Sequence, residues 1–172
     1  LRSDFLAGLG PTVVAQSLGQ ITATVSIGVC GPFSGSARPI GRRLADGVQG
    51  AITEANQLAG SLSRTYSMRT FDDQNTAANA VLQSSIATAD NSVLGMIGHV
   101  STDATLQAIP TYGHAQMPLV IPYGTDDRLT ATPYHCVFRL PTKDTFEAEI
   151  FPRTVGDQVK PMFIAGSLVQ AA

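Results

Sequence analysis

From Val25 onward the chain alternates short β-rich runs with longer amphipathic stretches, and that alternation constrains its fold more than any other feature. Strands separated by helix-length segments do not form tight hairpins. Each is expected to cross over a helix and return parallel to its neighbour. The first run, Val25–Cys30, closes at Gly31-Pro32-Phe33-Ser34-Gly35. After it, Ile40, Leu44, Val48 and Ile52 fall four apart, which predicts a helix over Pro39–Leu58 with one apolar stripe. Arg42, Arg43, Asp46 and Glu54 lie off that stripe, and Gly60 supplies a stop.

The pattern then repeats. Strands are expected at Tyr66–Phe71, Val93–Ile97, Leu119–Ile121 and Cys136–Leu140, with helices at Thr76–Ala89, Asp103–His114 and Lys143–Val155. The second helix is expected to bury Ala78, Val81, Leu82, Ile86 and Ala89, with Asp72-Asp73-Gln74-Asn75 accepting the free amides at its start. A last apolar run, Pro161–Ala165, follows, and no internal repeat is visible. The fold implied is α/β, a doubly wound, mainly parallel five-stranded sheet with helices on both faces. Ligands of such sheets collect beyond the carboxyl ends of the strands, where the strand order reverses. That rule selects Gly31–Gly35, Gly98–Thr102 and Tyr123–Asp127.

Composition narrows the function. At 172 residues the chain suits one ordinary domain, and a 44% hydrophobic content is ample for a core. Eleven Lys and Arg against 13 Asp and Glu give a formal charge of -2 without a basic block, which argues against nucleic acid. Arg42-Arg43 reads as a solvated helix face. Two cysteines make neither a disulfide framework nor a metal quartet, and Cys30 reads as a buried small hydrophobe. No metal is implied.

Catalytic and cofactor motifs are missing. The Gly31–Gly35 turn lacks the spacing of a phosphate loop, and GxGxxG, HExxH, CxxC and GxSxG do not occur. Neither a cofactor nor a catalytic residue is assigned. Asp72-Asp73 and Asp126-Asp127 read first as helix caps. His99 has no nucleophile pattern beside it and reads as a structural loop histidine before a catalytic one. An enzyme pairing His99 with Asp103 or Asp126 is the least supported reading.

What remains is binding chemistry. Gly98-His99-Val100-Ser101-Thr102 offers hydroxyls and free amides at a helix N-terminus, where donors and dipole both favour a carboxylate. A plain capping role for Ser101 or Thr102 fits those residue types equally well. Tyr123-Gly124-Thr125 adds an aromatic wall, a close backbone approach and a hydroxyl. These contacts suit a small zwitterion.

The first segment, residues 1–23, carries only Arg2 and Asp4 as charges around an apolar stretch Phe5–Val14 broken by Gly8, Gly10 and Pro11. It is too short and broken for a membrane span and reads as an export signal. Arg2-Ser3-Asp4-Phe5-Leu6 resembles the twin-arginine pattern, with serine in place of the second arginine.

Taken in order, Ile27-Gly28-Val29 with Gly31–Gly35, then Gly41, Gly47, Asp72-Asp73-Gln74 and Ile97-Gly98-His99 with Thr102 and Thr105 form a recognisable set. Pro118, Pro122 with Thr125, Leu129-Thr130 and Phe138-Arg139 continue it. Over Val25 to about Thr145 the chain resembles the periplasmic binding proteins of the leucine/isoleucine/valine type, non-catalytic receptors for ABC importers with a two-lobed type I fold. The resemblance implies that Thr102, Gly124 and Thr125, with Ser101 adjacent, hold the charged groups of an amino acid or small amide. Ser34 and Ile40 would wall the cleft near its side chain.

It further implies a periplasmic location and ABC permease subunits as partners. Residues 24–141 would be the N-terminal ligand-binding lobe, and 142–172 a crossover helix and the start of a second, truncated lobe. An uncovered cleft face would favour self-association. A ligand-sensing regulatory domain of the same fold is the alternative.

Overall fold

The computed structural model describes residues 23–59 and 64–155. Its five strands are β1 (Ala23–Gly31), β2 (Arg64–Asp72), β3 (Val93–Ile97), β4 (Leu119–Ile121) and β5 (Val137–Arg139). All pair in parallel, in the order β2-β1-β3-β4-β5, so the doubly wound sheet expected from the alternation is the one that forms. The helices are α1 (Arg38–Ala59), α2 (Ala77–Ala89), α3 (Thr102–His114) and α4 (Asp144–Val155), with a 3-10 turn at Asp127–Leu129. The signal-like residues before Ala23, the Gly60 stop and the Pro161–Ala165 run lie outside the described residues.

Helix α1 covers one sheet face. Leu44, Val48 and Ile52 are buried with Val29, against the half-buried Ile27, Tyr66, Met68 and Ile97. Each such aliphatic side chain contributes about 1.5–3 kcal/mol on burial. Ile40 departs from the expected stripe and is 41% exposed, while Gly41 is buried in the first turn. The helix starts so close to the β1 turn that a Cβ on Gly41 would run into the Pro32 carbonyl. Its far end is tied to β2 by Asn56, whose amide donates to the Tyr66 carbonyl and accepts the Tyr66 N–H, both at 2.8 Å.

Helices α2 and α3 cover the other face. Cys30, Phe71, Met96, Leu119 and Ile121 from the sheet meet Ala80, Ala87, Ala104, Ala108, Ile109 and Tyr112. Here the expected inner face of α2 is wrong. Ala78, Val81, Leu82, Ile86 and Ala89 are all exposed, and Ala80, Ser84 and Ala87 are the buried ones. Periodicity follows the large apolar residues, but α2 and α3 approach closely along a small-residue seam that large side chains would wedge open. The helix is capped by Thr76, whose hydroxyl accepts the Asn79 N–H at 3.3 Å, rather than by the acids before it.

Among the described residues one surface has no cover. Parallel sheets usually carry cover on both faces, yet beyond α1 the side chains of β3 and β4, with Leu140 just past β5, border an open apolar groove of about 540 Å³. Leu44, Val48 and Ala51 of α1 face Ile97, Val120 and Leu140 across it. Phe138 and Leu140 on that side are 53% and 72% exposed. Among the described residues the uncovered apolar surface therefore lies on the sheet face beside α1, where Pro122, Tyr123 and Leu140 reach it from the strand ends. No helix among the described residues is long and apolar enough to cross a membrane.

Candidate functional site

The pairings Gly31↔Asp72, Val29↔Ile97 and Ile97↔Val120 bring the carboxyl ends of the strands to one sheet edge. The order reverses beside β1, which lies between β2 and β3, and that reversal marks the ligand crevice of such folds. Gly31–Gly35, Gly98–Thr102 and Tyr123–Asp127 leave β1, β3 and β4 at this edge. The first two lie side by side, since a Cβ built on Gly31 would be 3.4 Å from Val100 Cγ2. Gly98 makes the approach feasible: its φ is 147°, and a Cβ there would run into the backbone of Cys30.

Ser101 is the N-cap of α3, its hydroxyl accepting the Ala104 N–H at 3.3 Å while its carbonyl accepts the Thr105 hydroxyl at 2.6 Å. One hydroxyl lone pair is thus engaged, and the O–H remains a donor. Thr102, the first helical residue, is half-buried, and its hydroxyl has no partner among the described residues. Its amide is one of those a helix start leaves without an internal acceptor.

Across the edge, the Thr125 carbonyl accepts both an Arg139 guanidinium N–H at 2.9 Å and the Asp144 N–H at 3.1 Å, so its hydroxyl is the group left over. Gly124 is buried with Leu129 beside it, and Tyr123 is 45% exposed. Ser34 is half-buried beside the Asp72 carboxyl.

The adjacent carboxylates are not caps of α2. Asp72 accepts the Phe33 N–H at 2.8 Å and the Gln74 N–H at 3.0 Å. Partial burial pushes its carboxyl up, but hydrogen bonds from the Ser34 side chain and the Phe33, Gln74 and Ser34 amides outweigh that and hold it below the ordinary range. Asp73 is fully buried. It accepts the Asn75 N–H at 2.8 Å and sits 2.7 Å from Nδ1 of His99, itself fully buried. Because a carboxylate only accepts, Nδ1 carries the proton. The Tyr112 hydroxyl lies 3.3 Å from Nε2, and the Cys30 thiol 4.0 Å from Asp73. Burial first, then the Asp73 charge, pushes the Cys30 thiol well above its ordinary range.

The carboxylate partner of His99 is therefore Asp73. Asp103 is exposed on α3 and Asp126 is bound by Arg128 at 2.6 Å, so neither completes a catalytic pair with it. Cys30, Asp73 and His99 together offer three buried donors within 4.8 Å. Ligands of one zinc ion, at about 2.0–2.3 Å from it, sit roughly 3.3–3.8 Å apart. The 2.7 Å nitrogen–oxygen separation is too short for that and is a hydrogen bond. Both cysteines are free thiols.

Sequence reasoning missed the pairing of Asp73 with His99 and the role of Arg139. The first was visible only as two polar residues placed one beyond the ends of β2 and two beyond β3. The second left no signal, because nothing local says which carbonyls an arginine will reach.

A family model described as "Periplasmic binding protein" matches residues 24–152. No curated protein matches the chain. Among solved structures, the branched-chain amino acid transporter substrate binding protein LivJ from Streptococcus pneumoniae, in complex with isoleucine, is 25% identical with a TM-score of 0.68, over 78% of this chain and 38% of that one. The leucine binding protein LivK from Thermotoga maritima is 24% identical with a TM-score of 0.65, over 74% of this chain and 35% of that one. A solute binding protein of R. palustris, in complex with 4-hydroxybenzoate, is 20% identical with a TM-score of 0.63, over 77% of this chain and 36% of that one. The chain thus spans little more than a third of the length of these structures.

Proposed function

The chain belongs to the periplasmic binding protein family, and from that premise we propose that it is the ligand-contacting N-terminal lobe of an ABC importer's amino-acid receptor. In this reading residues 24–141 form the lobe, the protein is exported to the periplasm, and permease subunits take over its ligand. It binds and does not catalyse. Thr102, the Ser101 hydroxyl and the first-turn amides of α3 hold the ligand carboxylate, Thr125 and Gly124 approach its other polar groups, and Tyr123 and Ser34 wall the cleft. The supporting observation is the Thr102 hydroxyl, without a partner among the described residues, at a helix N-terminus beside the strand-order reversal.

Asp103, exposed in that same first turn, sets a negative charge beside the carboxylate position. It favours a zwitterionic branched-chain amino acid or a small amide over a plain anion such as 4-hydroxybenzoate. The bare groove beside α1 is proposed as the surface for self-association.

Calorimetry of the chain with leucine, isoleucine, valine and 4-hydroxybenzoate tests this. One lobe offers few charge-assisted bonds to offset the cost of association. Binding near 1 mM, about -4.1 kcal/mol, is expected for the amino acids. Thr102→Val should weaken it roughly tenfold, the loss of one such bond. Binding of 4-hydroxybenzoate alone, or amino-acid binding indifferent to Thr102→Val, would refute the reading.

A further inference from the structure

Side chains alternate across the end of β2 and into the turn beyond it. Tyr66 and Met68 face the cluster under α1, whereas Phe71 faces the cluster under α2 and α3. Continued past the strand end, that alternation sends Asp72 to the α1 side and Asp73 to the other. Each meets a different loop. Asp72 receives the Phe33 N–H at 2.8 Å. Asp73 receives His99 Nδ1, and Tyr112 meets the far nitrogen of the same ring. Beyond Gly98 the segment after β3 divides as well, with His99 buried toward Asp73 and Val100 packed on the cluster under α1. Both loops are thus fixed from a single dipeptide.

We infer that Asp72 and Asp73 are a divided pair of positioning residues, Asp72 setting loop Gly31–Gly35 and Asp73, through His99, setting loop Gly98–Thr102. This deepens the ligand-binding reading and rests on it only for the affinity arm of the test. Asp72 holds the Phe33 amide, one residue before Ser34, and so sets where the Ser34 hydroxyl is presented. Asp73 anchors the β3 exit two residues before Ser101, so the α3 amides and Thr102 are presented from an immobile start. Neither carboxylate touches ligand in this account.

The test is nuclear magnetic resonance on the full chain and on Asp72→Ala, His99→Leu and His99→Asn. A rigid backbone has an order parameter of about 0.85, and a flexible one below about 0.6. Asp72→Ala should lower it at residues 33–35 and leave 99–102 unchanged, and His99→Leu should do the reverse. His99→Asn, which keeps a donor near the Nδ1 position, should restore 99–102. Should His99→Leu fail to fold, the ring nitrogens of the unaltered chain decide: Nδ1 must be the protonated one. Loosening of both loops by one variant, loosening of neither, or a bare Nδ1 overturns the inference.

With leucine as probe, each loosening variant should weaken binding roughly ten- to a hundredfold, the range for a lost hydrogen bond to a charged group. If the unaltered chain binds no amino acid, the ligand reading fails while the order-parameter result still stands or falls alone. If it binds and both variants match it, the positioning role is refuted.

Discussion

Replacing Gly98 by alanine tests how tightly β3 leaves the sheet against β1. The added Cβ would meet the carbonyl oxygen, carbon and nitrogen of Cys30, all backbone atoms of a central strand that cannot swing aside. Its φ of 147° adds a second penalty, since side-chain-bearing residues rarely adopt it. Backbone strain of that kind costs about 1–3 kcal/mol, and forcing a methyl into filled space costs about 1–3 kcal/mol more. A loss of about 2–6 kcal/mol is a large part of the roughly 5–15 kcal/mol that holds a domain folded. At a urea slope of about 1–3 kcal/mol per molar, the midpoint should fall by roughly 1 M or more, followed by circular dichroism. Gly50→Ala is the control. It lies within α1 with nothing near its Cβ position, so it should stabilise by about 0.5–1 kcal/mol. A Gly98→Ala midpoint within roughly 0.3 M of the unaltered chain would refute the reasoning.

Asn56→Ala removes both hydrogen bonds to Tyr66 on the edge strand β2 and should cost about 1–3 kcal/mol in the same urea assay. Asp72 has its folded carboxyl held below its unfolded value near 3.9, so its contribution is present above that pH and is lost as pH falls below it. Acid titrations of stability should accordingly be shallower below about pH 4 for Asp72→Asn, and an unchanged slope would count against the hydrogen bonds assigned to it. Sedimentation velocity should show Phe138→Glu with Leu140→Glu shifting any self-associated chain toward monomer, because both side chains border the bare face. Association untouched by that pair would place the contact elsewhere.

The sheet was legible because alternation of strand-length and helix-length segments leaves few topologies, and each strand ends where Gly, Asp or Pro interrupts the run. The edge carrying the loops followed from topology alone. The α1 stripe was nearly right because, Gly41 apart, its buried residues are also large ones, Leu44, Val48 and Ile52. In α2 the same rule failed: Ala80, Ser84 and Ala87 are inside because of what α3 leaves room for, and that is tertiary information. The site shows a similar split. Ser101 and Thr102 could be placed at a helix start from residue type, whereas the His99–Asp73 contact joins residues 26 apart across a strand crossover. No local pattern encodes such a pairing.

The alanine-lined seam between α2 and α3 gives the two sides of this sheet opposite mutational sensitivities. Beneath α1, truncation is the harmful change, since Leu44, Val48 and Ile52 hold volume whose removal leaves a void. Beneath α2 there is almost nothing to remove, and enlargement does the damage, because one added isobutyl group at Ala80 or Ala87 must push the helix off its neighbour. The outward residues Val81, Leu82 and Ile86 are released from that constraint. A dye or charged side chain at Leu82 should leave the fold intact, which makes this helix the natural handle for attaching probes without disturbing the loops at the far edge.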